Sequence, residues 1–218
     1  MNRTAKPETH GVGRDSHQEP FARFKVTVVH RVENWHRWCA YAAQRRAIGD
    51  ALAAEGYAPP AQVATLATAG FEYPLVDGTR QDDANEVFLF HGTGTALSIV
   101  GSGFDVRYAF AGKGAGACFG HGVYFAESAS KADQYARRGG DGKLRMFLSR
   151  VCLGRTQLVT APRGKAPFLP EVPGKSTAQV PVYHDSILAD VSRHRFREVV
   201  VGKDTSAYAE LLVEYERA

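Results

Sequence analysis

Apolar and polar residues alternate from Phe24 to Val32 (FKVTVVHRV), with β-branched residues in the middle, and predict a strand. The period then changes. Trp35, Trp38, Tyr41, Ala42, Arg45 and Ile48 fall near helical spacing, Asn34 sits where an N-cap belongs, and Gly56 ends the run. From Tyr57 to Glu86 the pattern dissolves into Pro- and Gly-punctuated chain, with one short helix expected around Ala61 to Ala69. EVFLFHG predicts a strand that meets a glycine turn after His91. TALSIVGSGF predicts a helix closing at Gly101 or Gly103. A glycine-laden loop follows, then VYFA as a short strand and ESASKADQYARR as a helix. LRMFLSRVCLG, Leu144 to Gly154, alternates as a strand. TAPRGKAPFLPEVPGKSTAQVP reads as loop, and VYHDSILAD as a weakly paired segment. FREVVVG and ELLVEYE give two late strands. Strands outnumber helices, and the class is α+β.

Residues 1–20 are polar and read as a disordered tail, which leaves residues 21–218 as a single domain. The 44% hydrophobic content suffices for a core, and the net charge of +4 leans mildly toward anionic partners. Cys39, Cys118 and Cys152 are too few and too far apart for a disulfide framework or a zinc site. The N-terminus has no apolar h-region and the chain no apolar run long enough for a bilayer. The expectation is an intracellular monomer without membrane or metal partners.

Three residues could carry chemistry. His91 ends a strand and precedes Gly92, whose bare backbone can lie against a flat ligand. Tyr124 follows a double-glycine turn and can stack on a heteroaromatic ring. Glu210 opens the last strand, where alternation sets it opposite Leu211, Val213 and Tyr215. Each also has an ordinary structural explanation: a buried strand-end histidine, a core tyrosine, a solvated acid. GKGAGACFGHG lacks a Walker ending and the context of a dinucleotide fingerprint, so it reads as a flap able to cover a ligand. His121, His184 and Asp185 lack metal-ligand spacing, and SRHRFR reads as a solvated basic turn.

LFHGT at Leu89–Thr93, GFDVR at Gly103–Arg107, GHGVYFAESASKADQY at Gly120–Tyr135 and YAELLVEY at Tyr208–Tyr215 follow one another in the chain. VHRVENWHRWCAY precedes them, and YHDSI and FREVVV fall between the last two. Together they resemble the catalytic domain of the poly(ADP-ribose) polymerase family, of the H-Y-E type and nearest its tankyrase-like and mono-transferring branches. The resemblance implies an ADP-ribosyltransferase fold, a split antiparallel sheet with flanking helices, binding NAD as substrate. It makes His91, Tyr124 and Glu210 the catalytic set. It implies that Gly92 bonds the nicotinamide amide, His91 the adenosine ribose and Glu210 the nicotinamide ribose, with Tyr124 and Tyr135 on either side of the nicotinamide. It adds Thr93, Arg107, Gly122, Phe125 and Ala132 to the NAD cleft. Ala132 stands where relatives carry a serine hydroxyl, so one hydrogen bond of roughly 0.5–1.5 kcal/mol is expected to be missing unless Ser128 or Ser130 replaces it. The activity implied is transfer of ADP-ribose to a macromolecular acceptor, self included, with nicotinamide released and chain elongation permitted. A non-catalytic NAD- or ADP-ribose-binding module and an NAD glycohydrolase are the alternatives.

Overall fold

A computed structural model describes residues 1, 8, 10–11, 20–63, 84–108, 118–164, 166, 169–177, 179–192, 194 and 196–218. Its strands are β1 (Phe24–Arg31), β2 (Glu86–Gly92), β3 (Val123–Ala126), β4 (Leu144–Cys152), β5 (Thr156–Val159), β6 (Ser186–Ala189), β7 (Glu198–Val201) and β8 (Ala207–Arg217). They form one eight-stranded sheet in the order β1-β8-β4-β2-β3-β7-β6-β5. All pairs are antiparallel except β5 with β6. The centre of the sheet is nearly unzipped. β2 pairs with β4 along its whole length but meets β3 only at Phe90↔Ala126. Beyond that pair the two halves diverge, and the fold is the split antiparallel sheet with flanking helices that an ADP-ribosyltransferase domain calls for.

Helix α1 (Trp35–Glu55) starts and stops where the sequence says it should. The Asn34 side chain accepts from the Arg37 amide, and Gly56 closes the helix at φ 59°. Helix α2 (Ala96–Ser102) ends at Gly103. Helix α3 (Ala129–Asp133) is only five residues long, shorter than the pattern predicts. Just past its end the Arg137 guanidinium donates to the carbonyls of Gln134 and Ala136. Of the short helix expected at Ala61 to Ala69, residues 61–63 are helical and 64–69 lie outside the described residues, as do 109–117 of the glycine-rich loop.

Other differences have local causes. β6 is an interior strand, buried throughout and paired on both sides, not a weakly paired segment. β5 falls between Gly154 and Thr160, where no element was expected, because four residues at a sheet edge give too little alternation to read. His10, assigned to a disordered tail, is 2% exposed. It stacks on Phe21 at 4.6 Å and its Nδ1 lies 3.1 Å from the Ala22 carbonyl. Of residues 1–20, positions 2–7, 9 and 12–19 lie outside the described residues.

The core has layers on both faces. Leu89, Phe125, Phe147 and Leu212 pack with Phe104 beyond α2 on one face. On the other, Phe90, Met146, Leu148 and Val213 pack with Ala129 and Ala132 of α3. Tyr41 and Leu52 of α1 cover Cys152 and Tyr208 on that same face, one end further along.

Under α1 lies a buried network of charges. Arg150, 1% exposed, donates from Nε to Glu210 at 3.1 Å and from Nη1 to Glu86 at 3.3 Å. Tyr41 also donates to Glu86 and accepts from Cys152. Burial works against the Arg150 guanidinium, but Glu86 and Glu210 outweigh it and its proton is held more tightly than usual. Burial drives the Tyr41 hydroxyl well above its ordinary range, so it stays a donor. Arg150→Ala leaves two buried carboxylates facing each other without their shared cation. We expect a loss of about 3–5 kcal/mol, read as a lower urea midpoint at unchanged slope; a midpoint within error of wild type would contradict this account of the network.

Candidate active site

The split creates the site. Past Phe90↔Ala126, β2 runs on through His91 and Gly92, while β3 diverges with Tyr124 and Phe125. A cavity of about 510 Å³ opens between them, within the range of small-molecule sites. It runs from α2 and the turn after it (Ser98, Ser102, Phe104, Asp105, Tyr108) through the split to α3 and β7 (Lys131, Ala132, Tyr135, Glu198).

His91 bridges the opening. Its Nδ1 lies 2.8 Å from the Tyr124 carbonyl, which only accepts, so Nδ1 carries the proton. Burial lowers the imidazole pKa against that hydrogen bond, so the ring is neutral at pH 7 and Nε2 is left as an acceptor. Phe104 and Phe125 fix the ring plane, with centroids 5.1 Å and 5.5 Å away. An acceptor of this kind suits a ligand hydroxyl.

Gly92 is constrained by the protein before any ligand arrives. A Cβ there would stand 1.7 Å from the Ala132 carbonyl oxygen, so β2 and α3 touch backbone to backbone. Gly122 plays the same part against β7: a Cβ would meet the Val201 carbonyl at 2.5 Å. The glycines of this region let chain approach chain, and the exposed edges of those contacts line the cavity.

Tyr124 is oriented by the turn before it. Its hydroxyl donates to the Gly120 carbonyl at 2.6 Å and accepts from the Phe119 amide at 3.1 Å. Burial raises its pKa far above the ordinary phenol range, so it presents a neutral ring. Tyr135, in the turn after α3, lines the same cavity and accepts from Lys131 Nζ at 3.1 Å. Lys131 Nζ also sits 3.4 Å from Glu198 Oε1. Lys131 is buried and Glu198 partly so, with side chains 8% and 13% exposed.

Of the residues predicted from sequence, His91, Gly92, Thr93, Gly122, Tyr124, Phe125, Ala132 and Tyr135 all line the cavity. Glu210 and Arg107 do not. The Arg107 side chain is 86% exposed and turned onto Asp105, with Nη2 2.7 Å from the carboxylate. Glu210 stands on β8, three strands from β3 in the sheet order, about 14 Å away at ordinary strand spacing. It also lies toward the wrong end of β2. Its partner Arg150 pairs with Phe88, while the cavity begins beyond Phe90. Alternation misplaced it because β8 carries an extra residue there. Leu148 pairs with Leu211 but Ser149 pairs with Ala209, so the bulge turns Glu210 onto Arg150.

The carboxylate at the α3 end of the cavity is Glu198, which sequence reasoning passed over with Lys131; Asp105, at the α2 end, is paired with Arg107. One signal was available. Glu198 is the lone acid beside three consecutive valines, at the end of a strand otherwise fully apolar. Ser128 and Ser130 are buried at 3% and 1% exposure and neither lines the cavity, so neither stands in for the hydroxyl missing at Ala132. Among the described residues no group of three or more His, Cys, Asp or Glu is placed to hold a metal ion, and no helix is long and apolar enough to cross a membrane.

Residues 11–168 match the family model for the poly(ADP-ribose) polymerase catalytic domain. The match spans well over half of the chain, and the chain belongs to that family. NAD is the substrate of the family and ADP-ribosyl transfer its activity. The match includes His91, Tyr124, Lys131 and Tyr135 and ends before both Glu198 and Glu210.

Neutral His91 has a thermodynamic consequence. In the unfolded chain its pKa is about 6.5; in the fold it is lower. As pH falls through the unfolded value, protons bind the unfolded chain first. The stability His91 contributes above that pH is therefore lost on acidification. His91→Gln should lose less unfolding free energy than wild type between about pH 7.5 and 5.5. Parallel losses in urea titrations would contradict a buried neutral imidazole.

Proposed function

We propose that the chain transfers ADP-ribose from NAD to an acceptor and that Glu198 supplies the carboxylate of the reaction. The observation that carries this reading is the Glu198–Lys131 pair, a partly buried carboxylate lining the cavity together with Tyr124 and Tyr135.

The chain's residues divide the work. His91 Nε2 accepts from a hydroxyl of the adenosine ribose. The Gly92 backbone meets the nicotinamide amide, and the two tyrosine rings hold the nicotinamide plane between them. Breaking the bond between the nicotinamide nitrogen and the ribose leaves an oxocarbenium-like centre at the anomeric carbon. Glu198 stabilises that positive charge across the cavity. Nicotinamide leaves as a neutral molecule with the bonding electron pair and needs no general acid. The acceptor's nucleophilic oxygen or nitrogen then bonds the anomeric carbon, and its proton passes to Glu198. Lys131 keeps the carboxylate aimed while Tyr135 fixes the ammonium in turn. Acceptors include the chain itself, and the retained carboxylate permits elongation.

Glu198→Gln should lower nicotinamide release by about 10²–10³-fold while NAD still protects the protein from thermal unfolding. Glu210→Gln should lower stability but keep its turnover per folded molecule. Loss of turnover in the Glu210 variant with full activity in the Glu198 variant would reverse the assignment. NAD protection without nicotinamide release in wild type would identify a binding module instead. Free ADP-ribose with no mass added to any protein would identify a glycohydrolase.

A further inference from the structure

α3 has the most demanding placement in the site and the least structure of its own. It is five residues long, its N-cap Ser128 makes no side-chain cap bond, and its first turn holds no acidic residue. A helix this short does not persist in water, so tertiary contacts must hold it. Its packing surface is Ala129 and Ala132, with Ala136 just beyond. Alanines bury well, but a smooth methyl surface fixes neither rotation nor sliding. Yet the segment must hold Lys131 against Glu198 and bring Tyr135 into the cavity that Tyr124 also lines.

Directional bonds sit at its two ends. Before α3, Arg197 pairs with Glu127 at 2.9 Å from Nε. At its last residue, Asp133 is 1% exposed and turns away from the cavity toward the end of β8. The Tyr215 hydroxyl donates to Asp133 Oδ1 at 2.5 Å, and Arg217 Nε donates to both carboxylate oxygens, at 3.0 and 3.1 Å. Arg217 also donates to the Asp133 backbone carbonyl at 3.3 Å. The partners are themselves held. The Tyr215 ring packs edge-on to Phe24 at 5.5 Å, Arg217 lies over Phe21 at 5.9 Å, and the Ala218 amide bonds the Arg23 carbonyl.

We propose that Asp133 is a positioning residue: clamped by Tyr215 and Arg217, it sets where α3 holds Lys131 and Tyr135 in the cavity. The last residues of the chain thereby fix the geometry of the nicotinamide end without touching substrate. Lys131 lies two residues before the pin and Tyr135 two residues after it, so slippage there moves both. The adenosine end, built on His91, α2 and the turn after it, is independent of this pin. The inference rests on the reading that nicotinamide lies between Tyr124 and Tyr135.

Two probes separate the ends: benzamide, a neutral isostere of nicotinamide, and ADP, which carries only the adenosine end. Their dissociation constants are measured by calorimetry on the full chain and on Asp133→Asn, Arg217→Gln and the double variant. Asp133→Asn and Arg217→Gln should each weaken benzamide by about tenfold and leave ADP within about twofold. The double variant should be no worse than the weaker single, since both remove one clamp. If Asp133→Asn does not melt cooperatively, Arg217→Gln decides, because its change lies at the edge of β8. Unchanged benzamide affinity, or equal weakening of both probes in a folded variant, would overturn the inference while leaving the proposed function standing. A wild-type chain that binds neither probe would overturn both.

Discussion

The contact between Gly92 and the Ala132 carbonyl holds the site together. A Cβ would stand 1.7 Å from that oxygen, so the approach exists only because residue 92 is glycine. It brings α3 onto the last residue of β2, just where the sheet has come apart from β3. With any side chain at residue 92, the helix that carries Lys131 and leads to Tyr135 could not come this close to the opening. The His91–Tyr124 bond spans the same gap on the other side. One backbone contact and one side-chain bond therefore define the two rims of a cavity that runs through the sheet.

Two of the glutamate–cation clusters in the fold serve different ends. Glu210 and Glu86 share Arg150 beneath α1, in a network that anchors the first helix to β2, β4 and β8. Buried networks of this kind stabilise only when complete, and removing one member exposes the rest to the full desolvation cost. Glu198 has Lys131 as its cation and the cavity on its other side. A carboxylate held by one partner and open to a ligand can respond to charge that develops there. A carboxylate enclosed in a network cannot.

Much of the frame could be read in the sequence. Asn34 and Gly56 marked both ends of α1, and the alternation in FKVTVVHR and LRMFLSRVC gave β1 and β4. The HG and VYFA pieces located both walls of the split, and with them His91, Gly92, Tyr124 and Tyr135. What failed depended on pairing between distant strands. A bulge at Glu210 arises from how β8 meets β4, and no local pattern in YAELLVEY announces it. Glu198 looked like the plain start of a valine strand until β7 was seen beside β3, with Ala126 opposite. Asp133 read as one more polar residue in a helix, since its partners lie more than eighty positions away in Tyr215 and Arg217.

The central claim is that the nicotinamide ribose of NAD lies at Glu198. A crystal structure with a non-hydrolysable NAD analogue tests it most directly. The account predicts the nicotinamide ring between Tyr124 and Tyr135 and a ribose hydroxyl within hydrogen-bonding distance of the Glu198 carboxylate, with Glu210 still on Arg150. An analogue whose ribose meets Glu210, or whose ring lies outside the two tyrosines, would contradict it.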